Sequence, residues 1–175
     1  MTATEVQPFD RSAVLPPVTR EIYREGMASL AAAVNVIATD GPAGPAGFTA
    51  TAVTSVTDDP PTLLVCLNRS SSAAPAVLAN KVVSVNALAP GHETVSSLFG
   101  GKTPTADRFA AANWTLGKTG APLLQDALVS FDCQVTETVE VGTHVILMCE
   151  VVDVRANDRE AALVYFRRGY QAVGV

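Results

Sequence analysis

The fold is read from one stretch: Ala127-Leu128-Val129-Ser130-Phe131-Asp132-Cys133-Gln134-Val135-Thr136-Glu137-Thr138-Val139-Glu140-Val141, then Gly142-Thr143, then His144-Val145-Ile146-Leu147-Met148-Cys149-Glu150-Val151-Val152-Asp153-Val154. Apolar and polar residues alternate along both arms, and Gly142 stands at the joint. A period of two is the mark of a strand with one face buried, and two such runs meeting at a glycine form an antiparallel hairpin. Outward from it lie shorter runs of the same kind: Val34 to Thr39, Phe48 to Val56, Thr62 to Leu67, Lys81 to Leu88 and Ala162 to Phe166. Tyr170 lies beyond the last strand. Turn composition separates them at Asp40 to Gly47 and at Asp58-Asp59-Pro60-Pro61.

Helical signals are few and short. Thr19 can cap a helix running to about Ala32, and Ser70-Ser71-Ser72 can cap one through Leu78. His92 to Phe99 and Ala106 to Ala112 complete the set. Only Thr62 to Leu88 reads strand–helix–strand, so a doubly wound parallel sheet is disfavoured. The pattern predicts a mainly β fold, an antiparallel Greek-key barrel decorated by short peripheral helices. Residues 1–18 read as a tail and 19–175 as one domain.

Composition narrows the function. The 175 residues are 48% hydrophobic and 17% charged, enough for a sizeable core. With 17 acidic and 12 basic side chains the net charge is -5, which argues against nucleic-acid binding. No apolar run approaches the roughly 20 residues of a membrane span, and the start does not read as a secretion signal. Cys66, Cys133 and Cys149 sit in apolar segments at wide spacing, as buried free thiols of a reducing cytoplasm do. Gly100-Gly101-Lys102-Thr103 imitates the end of a phosphate loop, but Ser96 stands where its first glycine belongs, and Pro104 follows. His92-Glu93 starts like a zinc-protease helix, yet position 96 is serine, so no metal site is expected.

Four segments carry chemistry. Thr49-Ala50-Thr51-Ala52-Val53-Thr54-Ser55 has almost no bulk on one face. It is either a bed for a flat ligand against exposed backbone or a strand with threonines in water. Asn68-Arg69-Ser70-Ser71-Ser72 offers hydroxyls and amides to a phosphate, or simply caps a helix. His144 sits in the hairpin turn. Tyr165-Phe166-Arg167-Arg168-Gly169-Tyr170 is an aromatic–cationic cluster that suits a phosphorylated, stackable ligand, or a solvated strand end.

From about Tyr23 to Tyr170 these segments, in this order, resemble the flavin reductase family with an FMN-binding split barrel. Within it, they resemble the small reductases that serve aromatic hydroxylases such as 4-hydroxyphenylacetate 3-monooxygenase. Arg24 to Val36, Thr49 to Val53, Ser55-Val56-Thr57, Asp59-Pro60-Pro61, Val65 to Asn68, Ser84-Val85-Asn86, Arg108-Phe109, Gly142-Thr143-His144 and Tyr165 to Arg168 carry the likeness. The resemblance implies a cytoplasmic homodimer of six-stranded antiparallel split barrels. It implies FMN or FAD along Thr49, Ala50, Thr51, Ala52, Val53 and Ser55, with Cys66, Asn68, Ser70, Ser71, Ser72, Phe99 and Lys102 around it. NADH or NADPH would meet His144, Tyr165, Phe166, Arg167, Arg168 and Tyr170. Many relatives carry Asp where this chain has Thr143, so a carboxylate orienting the histidine is missing. The implied activity is hydride transfer from the nicotinamide to flavin, with reduced flavin handed to a separate monooxygenase. Two alternatives are a tight flavoprotein acting on another substrate and a non-enzymatic flavin binder.

Overall fold

The computed structural model describes residues 15–174, so most of the expected tail lies outside the described residues. The elements run α1 (Arg20–Ala28), β1 (Ala32–Ala33), β2 (Asn35–Thr39), β3 (Ala46–Ala50), β4 (Val53–Asp58), β5 (Pro61–Asn68), α2 (Ala74–Asn80), β6 (Val82–Ala87), α3 (Glu93–Gly100), α4 (Thr105–Ala110), β7 (Trp114–Leu116), β8 (Pro122–Leu124), β9 (Val129–Val141), β10 (His144–Ala156), β11 (Ala162–Phe166) and β12 (Gly169–Val173). The fold is mainly β and every strand pairing is antiparallel.

One sheet of seven strands, in the order β3-β2-β6-β9-β10-β5-β4, forms the barrel. Its two edge strands are neighbours in sequence: β3 runs into β4 across Thr51 and Ala52. The single strand expected over Phe48 to Val56 is therefore broken, and the break is the barrel's corner. On the near side Asn35 Nδ2 donates to the Ala50 carbonyl, where the β2–β3 ladder ends. On the far side the Cys66 amide donates to the Ala52 carbonyl at 3.0 Å, catching the chain on β5. Between them Val53 N–H donates back to Thr51 O, a tight three-residue turn. Counting the bent β3–β4 segment once leaves six barrel segments, the expected number.

The barrel interior is aliphatic. Ile37, Leu63, Val65, Leu67, Val83, Val85, Val145 and Leu147 face it, with Cys133 and Cys149. Burial there pushes both thiols up, Cys149 to about 12, so neither supplies a thiolate near neutrality. A second core fills the space between barrel and helices. Phe99, Phe109 and Trp114 meet edge to face or tilted, with ring centroids 5.0 to 5.6 Å apart, against Val34, Val36, Leu88 and Leu124. Gly47 is obligatory beneath it: a Cβ there would stand 2.6 Å from the Phe99 ring and 2.8 Å from the Ile37 carbonyl.

Three other expectations shift. The first helix stops at Ala28 rather than Ala32, because Ala32 and Ala33 leave it to pair with Tyr165 and Val164. The Ser70–Ser72 run does not cap α2, which begins at Ala74 behind Ala73 with no side-chain cap. The chain past Phe166 is not an open end: β12 returns on β11, and short β7 and β8 add a third small sheet. That last hairpin turns on Arg167 and Arg168, with φ of 47° and 62°. The left-handed region costs a side-chain-bearing residue roughly 1–2 kcal/mol. Here the Arg167 amide donates to Ala28 O at 2.8 Å and Arg168 pairs with Glu25 at 2.6 Å, so α1 holds the turn.

Candidate functional site

The corner between β3 and β4 opens onto a cavity of about 690 Å³. Phe48, Thr49, Ala50, Thr51 and Ala52 form one wall, Cys66, Asn68, Ser70, Ser71 and Ser72 another, and the α3–α4 connection from Phe99 to Thr105 a third. His144 enters from the β9–β10 turn, where Gly142 at φ 55° lets the two long strands reverse in two residues. Of the residues expected around a flavin, Thr49 to Ala52, Cys66, Asn68, Ser70 to Ser72, Phe99 and Lys102 are brought together here. Val53 and Ser55 are not: both lie past the corner on β4, Val53 packed against the barrel core and Ser55 exposed.

The hydrogen bonds say which polar groups remain available. Thr49 Oγ1 donates to the Ser96 carbonyl at 2.6 Å, so it presents only its lone pairs. Asn68 Oδ1 accepts from both the amide and the hydroxyl of Ser70, folding the chain into a tight Asx turn. Ser71 Oγ accepts from the Ala73 amide, leaving its proton to donate outward. The serines are thus a small donor-bearing turn ahead of α2.

Arg108, which sequence reasoning left out of the site, is buried at the cavity's base. Its Nε donates to Thr103 O at 2.7 Å, one terminal nitrogen to Gly47 O at 2.9 Å and the other to Gly101 O at 3.1 Å. It ties the α3–α4 connection to β3 using backbone carbonyls alone, with no carboxylate partner among the described residues. Lys102, exposed on the same connection, adds a second cation. Among the described residues no Asp or Glu lines this cavity, although the chain is acidic overall. A cavity lined by small residues, two cations and three serines, with no carboxylate among its described lining, fits a flat ring carrying a phosphate.

A second cavity of about 460 Å³ shares Thr49, Thr51, Gly100 and Gly101 with the first. Tyr165 and Tyr170 wall it, their rings 5.4 Å apart edge to face, and Tyr170 OH donates to Ser96 Oγ at 2.9 Å. Phe166, Arg167 and Arg168 line neither cavity. Arg168 spends its charge on Glu25, whose carboxyl this bond holds below the ordinary value. Thr143 Oγ1 lies 2.9 Å from His144 Nδ1. The hydroxyl stands where a carboxylate was missed and can fix the ring's orientation without adding charge.

Residues 27–174 match the flavin reductase like domain. The chain is 62% identical over 157 residues to the FMN reductase (NADH) RutF of Stutzerimonas stutzeri (strain A1501), covering 90% of each protein. It is 59% identical over 162 residues to the FMN reductase (NADH) RutF of Ancylobacter novellus, covering 93% of this chain and 90% of that one. The structure of BorF, the flavin reductase component of a bacterial two-component tryptophan halogenase, superposes with a TM-score of 0.83 at 29% identity, over 90% of this chain and 99% of BorF. The domain match runs unbroken through the barrel, its corner, the α3–α4 connection and the hairpin that carries His144, and the chain belongs to the flavin reductase family.

Proposed function

We propose that this enzyme oxidises NADH, reduces FMN, and releases the reduced flavin to a separate oxygenase. One observation carries the reading: the cavity at the barrel's corner is lined by the small residues Ala50, Thr51 and Ala52, by the serines Ser70 to Ser72 and by the cations Lys102 and Arg108, with no carboxylate among its described lining. The flavin, when bound, supplies the hydride-accepting ring. The chain's own task is to hold two rings face to face and keep water from between them, which needs no nucleophile and no protein acid. Thr51 and Ala52, both exposed, form an open bed from which a flat ligand can leave, as a diffusible product requires. Ser71 and Lys102 meet the phosphate end, while Arg108 holds the third wall in place. His144 from the hairpin, with Tyr165 and Tyr170 behind β3, face the nicotinamide donor. Phe166, Arg167 and Arg168 act through the packing of α1.

The likeness to the relatives named FMN reductase (NADH) favours FMN and NADH over FAD and NADPH. We take the oxygenase served to be an aromatic hydroxylase of the 4-hydroxyphenylacetate 3-monooxygenase kind, and a cytoplasmic homodimer is the assembly we infer. Exposed Ile22, Met27 and Leu30 near α1, with Val141 and Val154 on the long hairpin, support a second copy covering apolar surface. Steady-state oxidation of NADH and NADPH with FMN, FAD and riboflavin in turn tests the reading. Turnover with added FMN, and loss of flavin on gel filtration, are the expected results. No turnover in any combination makes the chain a flavin binder, and flavin retained through the column makes it a tight flavoprotein.

A further inference from the structure

His92 is a buried ionisable residue that the proposed reaction does not use, and it lines neither cavity. It stands immediately before α3. Phe99 and Gly100 of that helix line the main cavity, and Ser96, Ser97 and Gly100 line the second, so α3 is a wall common to both. Two bonds close the turn from β6 into the helix around His92. Its backbone N–H donates to Ala89 O at 3.2 Å, and the Ala89 amide donates back to the ring Nδ1 at 3.2 Å. A ring nitrogen that accepts carries no proton, so the proton is on Nε2, which lies 3.0 Å from Asp126 Oδ2.

Asp126 is itself anchored. Arg159 donates to the same carboxylate oxygen at 3.2 Å, and Asn157 Nδ2 donates to the carbonyls of Gln125 and Ala127 on either side of it. The imidazole therefore ties the root of α3 to the β8–β9 and β10–β11 connections, which line neither cavity. One turn into the helix the Ser96 amide donates to His92 O at 2.9 Å. Ser96 in turn meets a residue of each cavity: its carbonyl accepts from Thr49 Oγ1 and its Oγ accepts from Tyr170 OH. A displacement at His92 passes through Ser96 to both.

We propose that His92, braced by Asp126, is a positioning residue for hydride transfer: it fixes α3 and, through Ser96, the placing of Thr49 and Tyr170, between which the two rings must meet. The inference rests on the flavin-and-nicotinamide reading of the two cavities. Rings that exchange a hydride tolerate little displacement, and an error of about 1 Å can cost roughly a hundredfold in rate. The contacts that hold FMN are spread over β3, the serine turn and Lys102, and most of them do not depend on α3. Loss of the brace therefore falls on kcat rather than on FMN affinity.

The test compares His92→Asn with His92→Gln. The asparagine puts an amide oxygen where Nδ1 was and keeps the turn, but it does not reach Asp126. The glutamine puts an amide nitrogen near the place of Nε2 and keeps the reach. With saturating FMN and NADH, kcat of His92→Asn should fall about ten- to a hundredfold, with FMN affinity within about threefold of the wild type, and His92→Gln should recover most of the rate. In flavin-free protein, amide hydrogen exchange followed by mass spectrometry should be at least about tenfold faster over residues 93–100 in His92→Asn, and close to the wild type there in His92→Gln. Thr119→Ala, which breaks the bond to buried Asp132 away from both cavities, is the control for lost stability and should leave kcat unchanged. If His92→Asn does not fold, Asp126→Ala, at an exposed position, should show the same fall in kcat and the same faster exchange. Unchanged kcat, unchanged exchange over α3, or equal recovery by asparagine and glutamine overturns the proposal. If the wild type oxidises no NADH, the function reading fails, and the exchange of the two variants decides by itself whether the Asp126 brace sets α3.

Discussion

Arg108→Met is the substitution that tests how the slot is built. The methionine keeps the apolar stem and removes a guanidinium that makes three hydrogen bonds to the carbonyls of Gly47, Gly101 and Thr103. A hydrogen bond from a charged donor contributes roughly 1.5–3 kcal/mol, and a buried acceptor left alone costs a further desolvation penalty. Water from the adjoining cavity can reach part of the rim, so the loss is smaller than the sum, about 3–5 kcal/mol. For a chain of this length that lowers Tm by roughly 6–20 °C. The α3–α4 connection, cut loose from β3, no longer holds Gly101 and Lys102 at the slot, and FMN affinity should fall at least about tenfold. Arg108→Lys restores the cation without the fork that reaches three carbonyls. If charge alone matters, the lysine recovers FMN affinity; if the tie matters, as the geometry argues, it does not. Urea unfolding and fluorescence titration with FMN measure both quantities. A methionine variant with the wild-type urea midpoint would refute the tie, and one that loses stability but keeps its FMN affinity would remove the connection from the flavin site.

Ala52→Trp should fill the corner and weaken FMN binding far more than the roughly 1–3 kcal/mol that overpacking costs a fold, because Ala52 is exposed at the rim; an unchanged FMN affinity in the folded variant takes this wall out of the site. His144→Ala should raise the Michaelis constant for NADH about tenfold or more with FMN affinity little changed, and the reverse pattern would place His144 against the flavin instead. Acid stability should depend on Asp126. Burial pushes its carboxyl up, but the hydrogen bond and charge of His92, its own backbone amide and the charge of Arg159 outweigh this and hold it below the ordinary value. A lowered folded value means that the stabilisation is present above the unfolded value, about 3.9, and is lost as pH falls through the folded one. Asp126→Asn should therefore be less stable than the wild type at pH 7, with the difference shrinking as the pH falls below about 4 in urea unfolding. A difference independent of pH rules out the ionic contribution.

The long hairpin was legible because Val129 to Val141 alternates and an apolar run follows just past Gly142; the register is fixed in the fold, where a slip by one residue would turn Leu147 and Cys149 out of the core. The break at Thr51–Ala52 was not, since Thr, Ala, Val and Ser follow one another on both sides of it. What bends the chain is a change of partner, from Asn35 on β2 to Cys66 on β5, and that is decided by residues distant in sequence. The Arg167-Arg168 turn was hidden for the same reason. Two arginines carry no turn signal, and only the Ala28 carbonyl and Glu25 make the left-handed backbone worthwhile. Arg108, with Phe109, carried part of the family likeness but was given no place in the site. The one local hint was a cation followed by Phe109 in a short helix that must pack against the barrel.

These misses share a cause that bears on function. The slot exists because the barrel is closed by a bent segment rather than by two paired edges. At that corner Thr51 and Ala52 stand exposed beside the strands they join. Small residues there leave the backbone of the corner open to the cavity. A bulky side chain at Ala52 would not prevent the turn, which depends on Val53 N–H and Thr51 O, but it would occupy the bed. The turn by itself leaves room for a larger residue at Ala52, whereas the proposed flavin bed does not. Gly47, on the strand that leads into the corner, is the opposite case. Its missing Cβ makes room for Phe99 and the Ile37 carbonyl, and any side chain there breaks the wall itself. Variants at the two positions should thus separate cleanly in urea unfolding and FMN titration: Gly47→Ala loses stability and flavin together, whereas Ala52 variants lose flavin first.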